Sequence, residues 1–228
     1  MAEPVRIVFA LFPNVTQLDF TGPHQVFSRL PGAVVTTASV TGAPVAADGL
    51  EFASLVRLAD VPACDVLCIP GGHGVIDAIA DEAFLREVRR LAAGARFVTS
   101  VCTGSLALGA AGLLRGKRAA CHWAWRELLI PFGAIVDTGR VVRDGNVITG
   151  GGITAGIDLA LTLVAEIAGR DVAQAIQLTL EYAPAPPFDA GRPETAPPEA
   201  VAFVRSRMQA TVEPRRAAVE AAARKLVV

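Results

Sequence analysis

The chain has no run of basic residues, and its 21 Lys and Arg stand against 22 Asp and Glu for a formal charge of −1. The electrostatic footprint of a nucleic-acid binder is therefore missing, and no nucleic-acid partner is expected. No apolar stretch reaches spanning length without a charge or a proline, so no membrane partner is expected either. MAEPVRIVFALF sets acidic Glu3 before a short apolar segment and lacks the basic region and cleavage site of a secretory signal, which makes a cytoplasmic location the expectation. Cysteine is sparse: Cys64, Cys68, Cys102 and Cys121 are the 4, and they are expected as free thiols. No second ligand pair follows Cys64 and Cys68, so no metal site is expected. The glycines Gly71, Gly72 and Gly74 form neither a dinucleotide fingerprint nor a P-loop, and no nucleotide site is indicated. Internal repeats and convincing linkers are also absent.

Apolar residues are plentiful, at 52% of 228, alongside 21 Gly and 15 Pro, a balance that implies a large core with tight turns. The whole chain, 1–228, reads as one domain with a Pro-rich segment at 183–198 and a C-terminal helical extension at 199–228. Its centre is RFVTSVCTGSLALGAAG, from Arg96 to Gly112. Phe97, Val98 and Val101 are strand formers, Leu106, Ala107, Ala110 and Ala111 have helical spacing, and the period changes at Cys102. At such a turn, unpaired N–H groups and the helix dipole are expected to lower the thiol pKa and make Cys102 a nucleophile. The plainer interpretation is a core cysteine.

In chain order, Arg6–Phe12 reads as a central parallel strand stopped by Pro13. A loop then leads to a helix expected over His24–Leu30, with Thr21 as cap and Pro23 near its first turn, which leaves Asp19 in the loop beyond the strand. Val34–Val40 reads as the next strand, followed by a hairpin turning at Asp48-Gly49. Asp65–Pro70 reads as a buried strand whose end carries Gly71 and Gly72, where backbone N–H groups can approach a developing charge. His73 beside them is a candidate base or simply a surface residue. Phe84–Ala93 is amphipathic, with Arg86, Glu87, Arg89 and Arg90 expected on its solvated face. Lys117–His122 reads as a short strand and Ala124–Phe132 as a helix; Cys121 and His122 would then point to opposite faces, while Trp123 and Trp125 are expected as packing anchors, either of which could instead wall a pocket. A hairpin at Asp144-Gly145 delivers the chain to Gly150-Gly151-Gly152-Ile153, then to a nearly all-apolar helix, Ala155–Ala168. Gln174–Tyr182 continues as a helix, and Val201–Val228 reads as a basic helix with Arg205, Arg207, Arg215, Arg216 and Arg224 on polar positions. The alternation gives an α/β fold, doubly wound and flavodoxin-like, with a mostly parallel sheet and helices on both faces. In it Asp19, Gly71-Gly72 and Cys102 converge at the carboxyl edge.

LFPNVTQLDFTGP, IPGGHG, VTSVCTGSLALGAAGLLRGKRAACHW and ITGGGITAGIDLAL together resemble the ThiJ/PfpI superfamily, which has a class I glutamine amidotransferase-like fold. The similarity runs from the first strand through EYAPAPPF. Asp19 in the QLDFTGP loop and Thr103 directly after the cysteine narrow the resemblance to the isocyanide hydratase group and its near neighbours. Peptidase-like members carry His at the position of Thr103. The resemblance implies hydration of a small-molecule isocyanide to an N-substituted formamide through a covalent thioimidate at Cys102, with Asp19 as general acid and base. It further implies that Thr103 and the Gly72 backbone N–H hold charge and water, that Ile153 walls the pocket, that no cofactor is used, and that the protein is a homodimer. Two alternatives stand beside it: a cysteine enzyme of the same superfamily acting on reactive carbonyls, and a redox sensor or regulator without turnover.

Overall fold

The computed structural model describes residues 3–226; the last two positions of the expected C-terminal helix, 227 and 228, lie outside the described residues. The strands are β1 (Val5–Ala10), β2 (Ala33–Ser39), β3 (Val45–Ala47), β4 (Leu50–Phe52), β5 (Val56–Arg57), β6 (Val66–Ile69), β7 (Phe97–Val101), β8 (Arg118–Ala119), β9 (Ile135–Val136), β10 (Val141–Asp144) and β11 (Val147–Gly150). The helices are α1 (Gln17–Phe27), α2 (Val75–Ala78), α3 (Glu82–Gly94), α4 (Gly104–Ala110), α5 (Ala155–Ala168), α6 (Arg170–Thr179) and α7 (Pro198–Arg224). The main sheet runs β10-β11-β7-β6-β1-β2-β5, and every pairing is parallel except the β10–β11 hairpin at one edge. Its five long parallel strands follow the flavodoxin-like order. Strands β6 and β7 are buried at every position, as continuous apolar runs covered on both faces should be.

From β1 the chain crosses one way to β2, and from β6 it crosses the other way to β7. Right-handed crossovers in opposite directions put their helices on opposite faces, so α1 packs with α5 while α2, α3 and α7 gather around α4. The reversal leaves a crevice between the carboxyl ends of β1 and β6, the usual ligand position in such sheets. An isolated bridge between Val15 and Gly72 ties the two rims of that crevice together.

Four expectations are corrected. Helix α1 starts at Gln17 rather than His24, with Pro23 inside it and Asp19 in its first turn. The reason lies 31 residues away: the Asp48 carboxylate on the β3–β4 turn accepts the Gln17 N–H at 3.1 Å and caps the helix from outside. Glu87 is buried rather than solvated, and accepts from Arg90 Nε at 2.7 Å and Arg86 Nε at 3.4 Å. The helix expected over Ala124–Phe132 is a 3-10 segment, Arg126–Phe132, which contains Pro131 and is closed by Gly133 at φ +75°. Finally, Arg215 turns inward from α7 and is 4% exposed.

Candidate active site

Strand β7 ends at Val101, and α4 begins three residues later, so the chain must reverse within Cys102 and Thr103. Cys102 does this with φ +58°, a left-handed conformation that costs a residue with a side chain about 1–3 kcal/mol. Its N–H donates to the Gly150 carbonyl at 3.1 Å, which pins the backbone to the end of β11. Beneath the turn, Ser105 Oγ lies 2.8 Å from Ser100 Oγ and donates to the Ala120 carbonyl at 2.6 Å, while the Ala120 N–H donates to Thr149 Oγ1 at 2.7 Å. These buried bonds couple β7, α4 and β11 and offset the cost of the strained residue. The turn also demands a bare backbone at position 104: a Cβ there would collide with the Ile69 and Pro70 carbonyl oxygens. Gly104→Ala is therefore expected to lose about 2–4 kcal/mol of stability, measured as a lower urea midpoint at unchanged m-value.

Asp19, Gly71, Gly72, Cys102 and Thr103 meet as the strand order implies. The Gly71 N–H donates to Asp19 Oδ2 at 2.8 Å, and the Gly72 N–H donates to Thr103 Oγ1 at 2.9 Å. The Gly72 donor is thus already engaged, and it bears on the site through the Thr103 hydroxyl. Gly71 is a matter of room, since a Cβ would lie 2.5 Å from both N and Oγ1 of Thr103 and 2.9 Å from Asp19 Oδ2. Asp19 is 1% exposed, and burial pushes its carboxyl up to about 7 against the pull of the Gly71 N–H and the Cys102 thiol. The thiol lies near enough to favour the carboxylate, yet Asp19 Oδ1 makes no aligned hydrogen bond.

The expected low thiol pKa is overturned. Burial first, then the charge of Asp19 and of Cys121, pushes the Cys102 thiol up, and the Thr103 N–H and hydroxyl offset only part of the rise. The dipole of a helix of 7 residues cannot outweigh a dry site beside a carboxylate. Cys102 and Asp19 are consequently a coupled pair that holds a proton at neutral pH.

Above the sulfur lies a cavity of about 150 Å³ whose wall includes Thr103, Gly72, Ile153, His122 and Trp125. Ile153 and His122 also border a second cavity of about 230 Å³, reached by the Pro-rich segment through Arg192 and Glu194. His73 is exposed at the rim of the first cavity. Burial and the Arg215 charge push His122 down to about 4, and its Nδ1 accepts the Ala124 N–H at 3.3 Å. The imidazole is neutral and supplies no proton at pH 7. Among the described residues no group of three or more His, Cys, Asp and Glu side chains is set to hold a metal ion, and no helix is long and apolar enough to cross a membrane.

A strained cysteine between strand and helix, faced by the loops after β1 and β6, coincides with a match to the DJ-1/PfpI family over residues 5–166. The chain belongs to the DJ-1/PfpI family. Over 223 residues it is 53% identical to a Pseudomonas putida protein named isonitrile hydratase, covering 97% of this chain and 98% of that one. A crystal structure of a ThiJ/PfpI family protein from Pseudomonas syringae superposes with a TM-score of 0.89 at 41% identity, covering 98% of this chain and 91% of the other. The transcriptional regulator GbdR of Pseudomonas aeruginosa is 31% identical over 79% of this chain, which spans 51% of the regulator's length.

In this DJ-1/PfpI protein one wall of the cavity over Cys102 comes from α7, beyond the span of the family match. Arg207, Met208, Thr211 and Arg215 all line it. Sequence reasoning missed these residues, although one signal was present: Val212, Arg215, Val219 and Ala222 recur at helical spacing, which places Arg215 on the apolar stripe of α7. Trp125 does wall the pocket, the alternative to its role as a packing anchor, whereas His122 was not foreseen as a lining residue.

Proposed function

We propose that this DJ-1/PfpI protein hydrates organic isocyanides to N-substituted formamides, with Cys102 as nucleophile and Asp19 as general acid and base. The observation that carries the reading is the buried Cys102–Asp19 pair, with a thiol held protonated beside a carboxyl near neutrality. An isocyanide must gain both a proton and a nucleophile at its terminal carbon, and this pair delivers both from one place. The name of the Pseudomonas putida relative supports the same chemistry.

In the first half, Asp19 takes the thiol proton and passes it to the isocyano carbon as the sulfur bonds to that carbon, giving the thioimidate R–N=CH–S–Cys102. Water then adds to the thioimidate carbon. Asp19 accepts the water proton and relays it to nitrogen, forming R–NH–CH(OH)–S–Cys102. Loss of the hydroxyl proton through Asp19 to the departing sulfur breaks the C–S bond and releases R–NH–CHO. The balance is isocyanide plus water to formamide, with the thiol restored. Thr103 holds the reacting atoms through its N–H and its Gly72-bound hydroxyl, and Ile153 walls the pocket. A homodimer belongs to the same reading and is checked by light scattering.

The reading is tested with an aryl isocyanide followed by proton NMR. Formamide is expected, carrying deuterium on the formyl carbon in D2O and the heavy isotope on oxygen in labelled water. Consumption of methylglyoxal with no formamide would move the site to carbonyl chemistry. A redox-sensor role has weaker physical support, because sensor cysteines are accessible thiolates and Cys102 is buried and protonated.

A further inference from the structure

Arg215 is the one buried cation at the site, and the hydration mechanism above does not use it. Its guanidinium lies 4.1 Å over the Trp125 ring, the residue is 4% exposed, and its Nε has no hydrogen-bond partner. Among the described residues no ion pair includes it. An uncompensated buried cation costs several kcal/mol, more than one aromatic face returns. The residue lines the cavity over Cys102, and the other charged residue on that wall is Arg207, also a cation. Asp19, the nearby carboxylate, is 1% exposed, interacts with the Cys102 thiol and is not among the residues that line the cavity. Any group that enters therefore meets positive charge in the cavity it shares with the nucleophile.

We propose that Arg215 is a specificity-determining residue that receives an anionic group on the substrate, so that the preferred isocyanides carry a carboxylate close to the isocyano group. This rests on the hydration reading and narrows its substrate class. The planar guanidinium matches a carboxylate, and stacking on Trp125 holds it ready without a competing protein acid. An α-isocyano carboxylate is small enough for a cavity of about 150 Å³, and it would set its carbon on Cys102 while its anion reaches Arg215. A neutral substrate would leave the cation unpaired in a site it had just dried. The product would be an N-formyl amino acid. Because Arg207 and Arg215 lie beyond residues 5–166, this selection belongs to the C-terminal extension rather than to the portion matched to the family.

The test compares isocyanoacetate with its methyl ester in wild type, Arg215→Met and Arg215→Lys. Wild type is expected to favour the acid in kcat/KM by about 10-fold or more. Arg215→Met is expected to lose about 30-fold for the acid and little for the ester, with part of the acid activity restored by Lys. A merely structural Arg215 would lower both substrates by one factor, and that result overturns the proposal, as does a wild-type preference for the ester. Should Arg215→Met not fold, wild-type ester turnover must be inhibited by N-formylglycine far more strongly than by N-formylglycine methyl ester; equal inhibition overturns the proposal. Hydration of neither isocyanide would instead overturn the hydration reading itself.

Discussion

Replacing Cys102 by alanine is expected to lower kcat/KM for an aryl isocyanide by about 10⁴-fold or more, to the level of the uncatalysed reaction in the same buffer. Removing the sulfur removes the covalent path, and the remaining donors at Thr103 have no bound intermediate to stabilise. The fold should tolerate the change, because alanine can adopt the φ of +58° at a cost similar to that of cysteine and the backbone bond to Gly150 is unaffected. Circular dichroism and the thermal midpoint check that point. Acid quenching of wild type during turnover should leave a mass increment of one isocyanide on the peptide containing Cys102. Full turnover by Cys102→Ala would remove the residue from the mechanism.

Asp19→Asn is expected to cost about 10²–10⁴-fold in kcat/KM and to change the pH profile in a way that identifies the group. In wild type the productive pair holds one proton. Below about 7 Asp19 takes a second, so the rate should fall tenfold per pH unit; above about 7 it should level off, since the thiol titrates far higher. The limb should vanish in the asparagine variant. Stability moves in the opposite sense. A raised carboxyl pKa means the folded state binds more protons than the unfolded chain between about 4 and 7, so wild type loses stability as pH rises through that window. The loss is on the order of a few kcal/mol and is fully present above about 7. Asn, always neutral and still able to accept from Gly71, should therefore raise the thermal midpoint at pH 8 and make little difference at pH 4. A gain that is the same at both pH values would show that Asp19 is not titrating in that range.

Both experiments act on residues that the linear pattern of the chain already singles out. Apolar runs stopped by proline, glycine or cysteine mark the carboxyl ends of β1, β6 and β7, and parallel topology brings those ends to one edge, so the meeting of Asp19, Gly71-Gly72 and Cys102 was legible. The hairpin at Asp144 and the bounds of α5 were equally clear, since turn chemistry and helical periodicity are local properties. The failures had separate causes. Helix α1 starts early because Asp48 caps it from a hairpin 31 residues away. Glu87 is buried because Arg86 and Arg90 of its own helix neutralise it, and Arg90 is itself held by the distant Leu58 and Pro62 carbonyls.

The amino-acid sequence by itself determined the doubly wound sheet, the strand-to-helix turn at Cys102 and the identities of the residues beside it, because periodicity, turn residues and strand order carry that information along the chain. Only the tertiary structure decided the protonation of the pair and the charge of the cavity. A thiol at a helix start is acidic in isolation, but burial beside Asp19 reverses the sign, and desolvation is a property of everything packed around the group. Likewise helical spacing sets Arg215 apart from the other arginines of α7 but does not say what its stripe packs on. The docking of that helix on α4 and the 3-10 segment buries Arg215 in the wall of the cavity over Cys102 and leaves Arg216 in water.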